Sequence, residues 1–270
     1  MAGTYKIDDQ WRMLVEEGQG HEGRRRVAHL FGMFPSKGRC RICKMPFDGL
    51  SGQIMHAIGK GPSVLNPHLC SDCDVFVRSH PGGVETRLSM LFADIRGSTS
   101  LAEHMKPTEF SRLIDRFFAT ATEILSRTDA IVDKLAGDQV SGYYVAGLAG
   151  QDHARVAVQA AQELLRATEN KNASGAWISL GIGVHTGEAF FGAVGAQGGI
   201  VDVTALGDAV NIAARLSSNA GPGEILVSEE TCRDAKLDVS SRERREMVLK
   251  GRSEPVSVYV LGVTQPMPAM

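Results

Sequence analysis

The stretch Leu88-Ser-Met-Leu-Phe-Ala93, closed by Asp94, decides the fold. A short apolar run ending on a carboxylate predicts a buried strand whose end faces solvent. After it comes Ile95-Arg-Gly-Ser-Thr99, a loop of small residues that opens a helix. Between 107 and 127, Phe110, Leu113, Ile114, Phe117, Phe118, Ala121, Ile124 and Leu125 recur at spacings of three and four. That spacing predicts an amphipathic helix with Pro107 at its start. Residues 130–136, the Gly137-Asp138 turn and residues 140–145 predict a hairpin. A second helix is expected over 152–169, with Ala157, Ala161, Leu164 and Leu165 inward. Two strands, 177–186 and 188–194, are expected to flank a tight Thr186-Gly187. Strand, helix, hairpin, helix, strand is the βαββαβ order of an α+β, ferredoxin-like sheet with helices on one face. A further helix then carries Asn211 and Arg215, and short strands are expected at 224–228, near 247–249 and at 256–261.

Upstream the composition changes. Pro81, Gly82 and Gly83 read as breakers, so the chain divides into a module at 1–84, a larger domain at 85–264 and a loose tail at 265–270. The module holds Cys40-Arg-Ile-Cys43 and Cys70-Ser-Asp-Cys73, with 26 residues between the pairs. Two such knuckles can present Cys40, Cys43, Cys70 and Cys73 to one tetrahedral zinc ion, although the spacer exceeds the usual ~15–20 residues. An iron–sulfur cluster uses the same thiolates, and a dithiol switch is a further alternative. His56 and His68 lie close by in the sequence. Cys232, alone in the larger domain, reads as a small buried residue.

With 270 residues, 43% hydrophobic and 22% charged, the composition is that of a globular protein. A net charge of −2 argues against a polyanion partner or a membrane surface. No apolar run approaches the ~20 residues of a membrane span. The opening MAGTYKIDDQWRMLVEEG has no apolar signal core, so a cytoplasmic location with reduced thiols is expected. Arg24, Arg25, Arg26, Arg39, Arg41 and Lys44 are interspersed with Glu16, Glu17, Glu22, Asp72 and Asp74. That mixture suits a solvated face or a dimer contact better than nucleic acid. Gly59-Lys-Gly61 lacks the rest of a phosphate-loop pattern.

The larger domain also carries the groups that phosphoryl chemistry needs. Asp94 and Asp138 are two carboxylates able to hold two divalent ions, while Gly97, Ser98 and Thr99 offer backbone N–H groups to phosphates. Taken singly, Asp94 also reads as a helix cap and Asp138 as a turn residue. Asn211 and Arg215, four apart, share a helix face beside Thr204, which reads as an exposed residue at a strand end. An amide there suits a sugar hydroxyl and a guanidinium suits a phosphate.

Four blocks occur in order: Phe92-Ala-Asp-Ile-Arg-Gly-Ser-Thr99, Asp133-Lys-Leu-Ala-Gly-Asp138, residues 204–215, and Leu249-Lys-Gly251. Through them the chain resembles the class III nucleotidyl cyclases over about residues 86–263. The resemblance implies two Mg²⁺ or Mn²⁺ ions held by Asp94, Asp138 and the Ile95 carbonyl. It implies that Lys134 and Thr204 read the purine, Asn211 orients the ribose, Arg215 offsets charge on the α-phosphate and Lys250 holds the outer phosphates. The implied reaction is attack of the ribose 3′ oxygen on the α-phosphate, giving a 3′,5′-cyclic nucleotide and pyrophosphate. Lys134 only donates and Thr204 can accept, a pair suited to ATP; a guanine reader is expected to carry Glu in place of Lys134. Thr204 stands where many members carry Asp. The family builds each site from two chains, so a homodimer with two sites across a twofold axis is implied. The alternatives are a cyclase-fold nucleotide sensor without turnover, a cyclase preferring guanine, and a nucleic-acid-binding ribbon with the cyclase domain as output.

Overall fold

The computed structural model describes residues 7–17, 31, 36, 38–169, 177–195 and 201–262. The helices α1 (Ile7–Arg12), α2 (Gly49–Ala57) and α3 (Ser71–Ser79) precede the sheet, and α1 runs on into one π-helical turn at Met13–Glu17. Then come β1 (Gly82–Ile95), α4 (Ser98–His104), α5 (Pro107–Arg127), β2 (Ile131–Ala136) and β3 (Gln139–Tyr144). A single turn, α6 (Ala146–Ala149), leads to α7 (His153–Glu169), β4 (Leu180–Gly195) and β5 (Val201–Leu206). The chain continues through α8 (Asp208–Asn219), β6 (Glu224–Ser228), α9 (Glu229–Asp234), β7 (Arg244–Met247) and β8 (Val256–Leu261).

All eight strands join one sheet, in the order β2-β3-β1-β4-β6-β8-β7, with β5 paired to β4. The order β2-β3-β1-β4, all antiparallel, is the βαββαβ core. Alternation along the strands sorts side chains to two faces. Leu91, Ala93 and Ile95 of β1 and Leu180, Ile182 and Val184 of β4 meet α5 and α7 on the first face. There Phe117, Ala121 and Leu125 of α5 interlock with Ala157, Ala161 and Leu164 of α7, the expected helical stripes.

The second face is covered too, contrary to the expectation of helices on one face only. Met90 and Phe92 of β1, Tyr143 of β3 and Phe191 of β4 lie under α8 and the cysteine-bearing segment, in one core with Trp11, Leu14, Ile42, Met45 and Leu69. Helix α8 can settle there because β4 presents glycine: a Cβ on Gly183 would stand 2.3 Å from the Ser217 nitrogen and 2.4 Å from the Ala213 oxygen.

Two further expectations change. Residues 188–194 are no separate strand; β4 runs unbroken through Thr186-Gly187 to Gly195, its far half pairing with β1 and β5. Gly82 and Gly83 do not break the chain but begin β1. A Cβ on Gly83 would meet the Phe191 oxygen at 2.3 Å and the Gly192 Cα at 2.6 Å, so glycine permits the close pairing of β1 with β4. Arg24, Arg25, Arg26, Glu22 and the tail at 265–270 lie outside the described residues. None of the described helices is long and apolar enough to cross a membrane.

Candidate functional site

Asp94 sits one residue before the end of β1, opposite Gln139 of β3, which places it beside the β2–β3 turn that holds Asp138. The Ile95 N–H donates to the Asp138 carbonyl at 3.1 Å, locking the two strand ends together. The Ile95 side chain is buried in the core, leaving only its backbone to serve a ligand. Burial pushes the Asp94 carboxyl above the usual carboxylate range; the nearby Asp138 adds to this and Arg96 opposes it. Arg96 forms an ion pair with Asp94 through Nη2 and donates from Nη1 to the Ser218 carbonyl at 2.9 Å. It therefore ties the end of β1 to the last turn of α8. Sequence reasoning missed Arg96, although an Asp-x-Arg pair falls on one side of a strand. Gly97 adopts a left-handed φ of 71° as the N-cap of α4. Ser98 and Thr99 are the first residues of that helix rather than part of a loop.

A second group forms around α8. Ala209, Ile212, Ala213 and Leu216 bury its apolar side, leaving Asn211 exposed and Arg215 partly buried. The turn after β7 folds against this helix. Arg252 pairs with Asp208, the Arg252 N–H donates to the Leu249 carbonyl at 3.0 Å, and Leu249 is buried. Gly251, with φ 79°, brings its backbone so close that a Cβ would lie 3.6 Å from Arg215 Nη2. Lys250, next to it, is exposed. Helix and turn thus gather Arg215 and the Lys250-Gly251 pair at one edge.

Thr204 departs from its expected setting. It lies inside β5, paired with Gly192, and is only 9% exposed rather than a free strand end. The buried Tyr143 phenol donates to Asp133 Oδ2 at 2.8 Å. The Lys134 side chain lies outside the described residues. Among the described residues, no hydrogen bond or ion pair joins Asp94 or Asp138 to Thr204, Asn211, Arg215 or Lys250.

The four cysteines meet. Their Sγ atoms all lie within 4.8 Å of one another, and neither His56 nor His68 belongs to the group. Cys43 Sγ and Cys70 Sγ are 3.6 Å apart, well beyond a disulfide bond of about 2.05 Å. Around one ion with bonds of about 2.3 Å, tetrahedral sulfurs stand about 3.8 Å apart, so the spacing fits a single metal. Burial works against a thiolate at Cys40, but hydrogen bonds from Cys43, Cys70 and Cys73 outweigh it and hold that thiol well below its ordinary pKa. The cluster rests on the sheet: Asn66 donates to the Val201 carbonyl at 3.1 Å, Arg41 pairs with Asp202 at 3.5 Å, and Trp11 meets Phe191 edge-on. Lys44, buried beside Cys43, donates to the Ala130 carbonyl. Lys60, of the glycine-lysine-glycine stretch, pairs with Asp72. Cys232 is buried, its thiol pushed up to about 12 mainly by that burial.

Residues 84–262 match the family described as adenylate and guanylate cyclase catalytic domain. An adenylate cyclase of Anabaena cylindrica is 31% identical over 182 residues, covering 64% of this chain and 36% of the relative. An adenylate cyclase of Mycobacterium tuberculosis is 32% identical over 177 residues, covering 64% of this chain and 39% of the relative. The chain therefore spans little more than a third of the length of these curated relatives. Among solved structures, the guanylyl cyclase Cya2 superposes with a TM-score of 0.61 at 27% identity, covering 68% of this chain and 96% of that one. The adenylyl cyclase CyaB of P. aeruginosa gives 0.57 at 26% identity, covering 65% and 93%.

Proposed function

The chain belongs to the adenylate and guanylate cyclase catalytic-domain family, and from that premise we propose that it is an adenylyl cyclase forming 3′,5′-cyclic AMP and pyrophosphate from ATP. The observation that carries this reading is the meeting of Asp94 and Asp138 at one end of the sheet. Two carboxylates close enough to raise the pKa of one form an anionic seat that divalent cations relieve. Mg²⁺ or Mn²⁺ bound there would supply Lewis acidity to the ribose 3′ oxygen and the α-phosphate.

The chain's own residues then do the positioning. Asn211, exposed on α8, is proposed to hold the ribose, and Arg215 to neutralise charge that grows on the α-phosphate. Lys250, at the turn beside Arg215, is proposed to hold the outer phosphates. Gly97, Ser98 and Thr99, at the start of α4, offer N–H groups to the phosphates. Lys134 and Thr204 are proposed as the adenine readers. The aspartates of one chain are proposed to serve the Thr204, Asn211 and Arg215 of a second copy. Support comes from the resemblance to class III cyclases, which build each site from two chains.

The four cysteines are proposed to hold one zinc ion. Four sulfurs inside 4.8 Å suit a single ion, whereas a cluster of several irons sets its thiolates farther apart. The segment they fold is proposed to be regulatory, since Asn66 and Arg41 hold β5 at Val201 and Asp202, close in sequence to Thr204. Metal analysis is expected to find about one zinc per chain in a colourless protein; visible absorption from an iron–sulfur chromophore would contradict zinc. Purified protein incubated with ATP or GTP and Mn²⁺ or Mg²⁺ is expected to form cyclic AMP faster than cyclic GMP. No cyclic product from either nucleotide overturns the enzyme reading, and a preference for GTP overturns its substrate.

A further inference from the structure

We infer that Arg96 is a positioning residue that competes with a divalent cation for Asp94 while it anchors the end of α8, which keeps the metal seat weak and ties it to the helix of Asn211 and Arg215. The inference rests on the proposed reading of Asp94 as a metal ligand.

Two groups of partners converge on the Arg96 guanidinium. Nη2 pairs with Asp94 Oδ2. Nη1 donates to the Ser218 carbonyl at 2.9 Å and to the Ala220 carbonyl at 3.4 Å. Ser218 lies in the last turn of α8 and Ala220 is its C-cap. Backbone acceptors at a helix end lack partners within the helix, and a cation is favoured there. Nε is buried and bonds to nothing among the described residues, so Asp94 and the helix end together hold the guanidinium. The Arg96 backbone N–H donates to the Ser179 carbonyl at 2.8 Å, which fixes the root of the side chain. The side chain also threads a gap that glycine leaves open. A Cβ on Gly181 would stand 2.8 Å from Arg96 Nε and 2.9 Å from the Ala220 oxygen.

The side chains of Arg96 and Asp94 are only 17% and 21% exposed, so salt and water screen their charges less than those of a surface pair. A fixed positive charge on Asp94 opposes the arrival of a dication at the same carboxylate. A cation that binds must share Oδ2 with Nη2 or displace it. The exchange reaches α8, because one planar, rigid fork spans both Asp94 and the helix end. A lysine would supply the charge without the span. Under the proposed pairing of half-sites, Asp94 serves one site and α8 of the same chain serves the other, and Arg96 is the link between them.

The test uses the full chain and measures Mn²⁺ binding by titration calorimetry without nucleotide, with kcat read separately. Binding that disappears in Asp94→Ala belongs to this seat; Mn²⁺ prefers carboxylates to the thiolates of the cysteine group. Arg96→Met keeps the stem and removes the charge, and its Kd for Mn²⁺ is expected to fall about tenfold. Its kcat is expected to fall as well, because the end of α8 loses its two donated bonds. Arg96→Lys restores the charge without the span, so its Kd is expected to stay within about twofold of the parent while kcat remains low. Arg96→Gln gives a second neutral variant if Arg96→Met does not fold. An arginine that merely supports the fold would weaken the seat on removal. Mn²⁺ binding that is unchanged or weaker in the folded neutral variants therefore overturns the inference, and so does Arg96→Lys tightening it as much as Arg96→Met. A parent protein that binds no Mn²⁺ at Asp94 overturns the metal seat and the inference together. A parent that binds Mn²⁺, gains affinity in the neutral variants and forms no cyclic product upholds the inference and fails only the functional reading.

Discussion

The two faces of the sheet are built by different means. On the first, two long helices, α5 and α7, lay continuous apolar stripes across β1, β3 and β4. On the second, the cover is assembled from α8 and from residues 11, 42, 45 and 69, far apart in sequence, and it encloses Asp133, Lys44 and Tyr143. The polar groups that could serve a nucleotide line the second face and the strand ends beside it. Asp94 and Asp138 sit at a strand end whose opposite side is anchored in the first core, and Arg96 pairs with Asp94 there.

If that division of labour is correct, substitutions on the two sides should dissociate. The largest effect is expected from Asp94→Ala, which removes half of the anionic seat: kcat for cyclic nucleotide falls by about 10³-fold or more. Its melting temperature should stay within a few degrees of the parent. Leu164→Ala strikes the opposite face, where Leu164 is fully buried between α7 and the sheet. A loss of about 3 kcal/mol in stability is expected, measured by denaturant unfolding, with kcat per folded molecule little changed. A kcat collapse in Leu164→Ala without unfolding would break the comparison.

A smaller effect concerns His185, which lies on β4 and shares a 2.8 Å hydrogen bond with Ser228, the N-cap of α9. Burial holds its pKa down at about 4, with Glu230 opposing and Arg87 assisting. The unfolded chain takes up the proton near pH 6.5 and the folded chain does not. Stability is therefore complete above 6.5 and declines as pH falls toward 4, by at most about 1.4 kcal/mol per unit. His185→Gln should flatten that slope in melts recorded across the window; an unchanged slope would remove His185 as its cause.

Legibility in the sequence follows the same line. The first face could be read because its signal is local: the run ending at Asp94 and the three-and-four spacing of α5 each lie within one element. The hairpin with Asp138 at its turn was equally plain, being a short-range feature. The second face is a matter of long-range meetings. Gly187 reads locally as a turn, yet β1 holds β4 straight through it, with Leu88 opposite Gly187. Thr204 reads as exposed because nothing nearby in sequence announces that it is buried within β5. Trp11, fully buried and donating to the His80 carbonyl at 2.9 Å, carried no periodic signal at all. The cysteine pairs were the exception, since their spacing states a common ligand even at a distance.

The central claim is that one chain carries two half-sites which complete each other across a dimer. Co-expression of Asp94→Ala with Arg215→Ala tests it most directly, because each variant alone is expected to be inactive for a different reason. Random pairing makes half of the dimers mixed, each with one intact site of two, so about a quarter of the parent activity should return. Co-purified mixed dimers with no more activity than either variant alone would contradict the account.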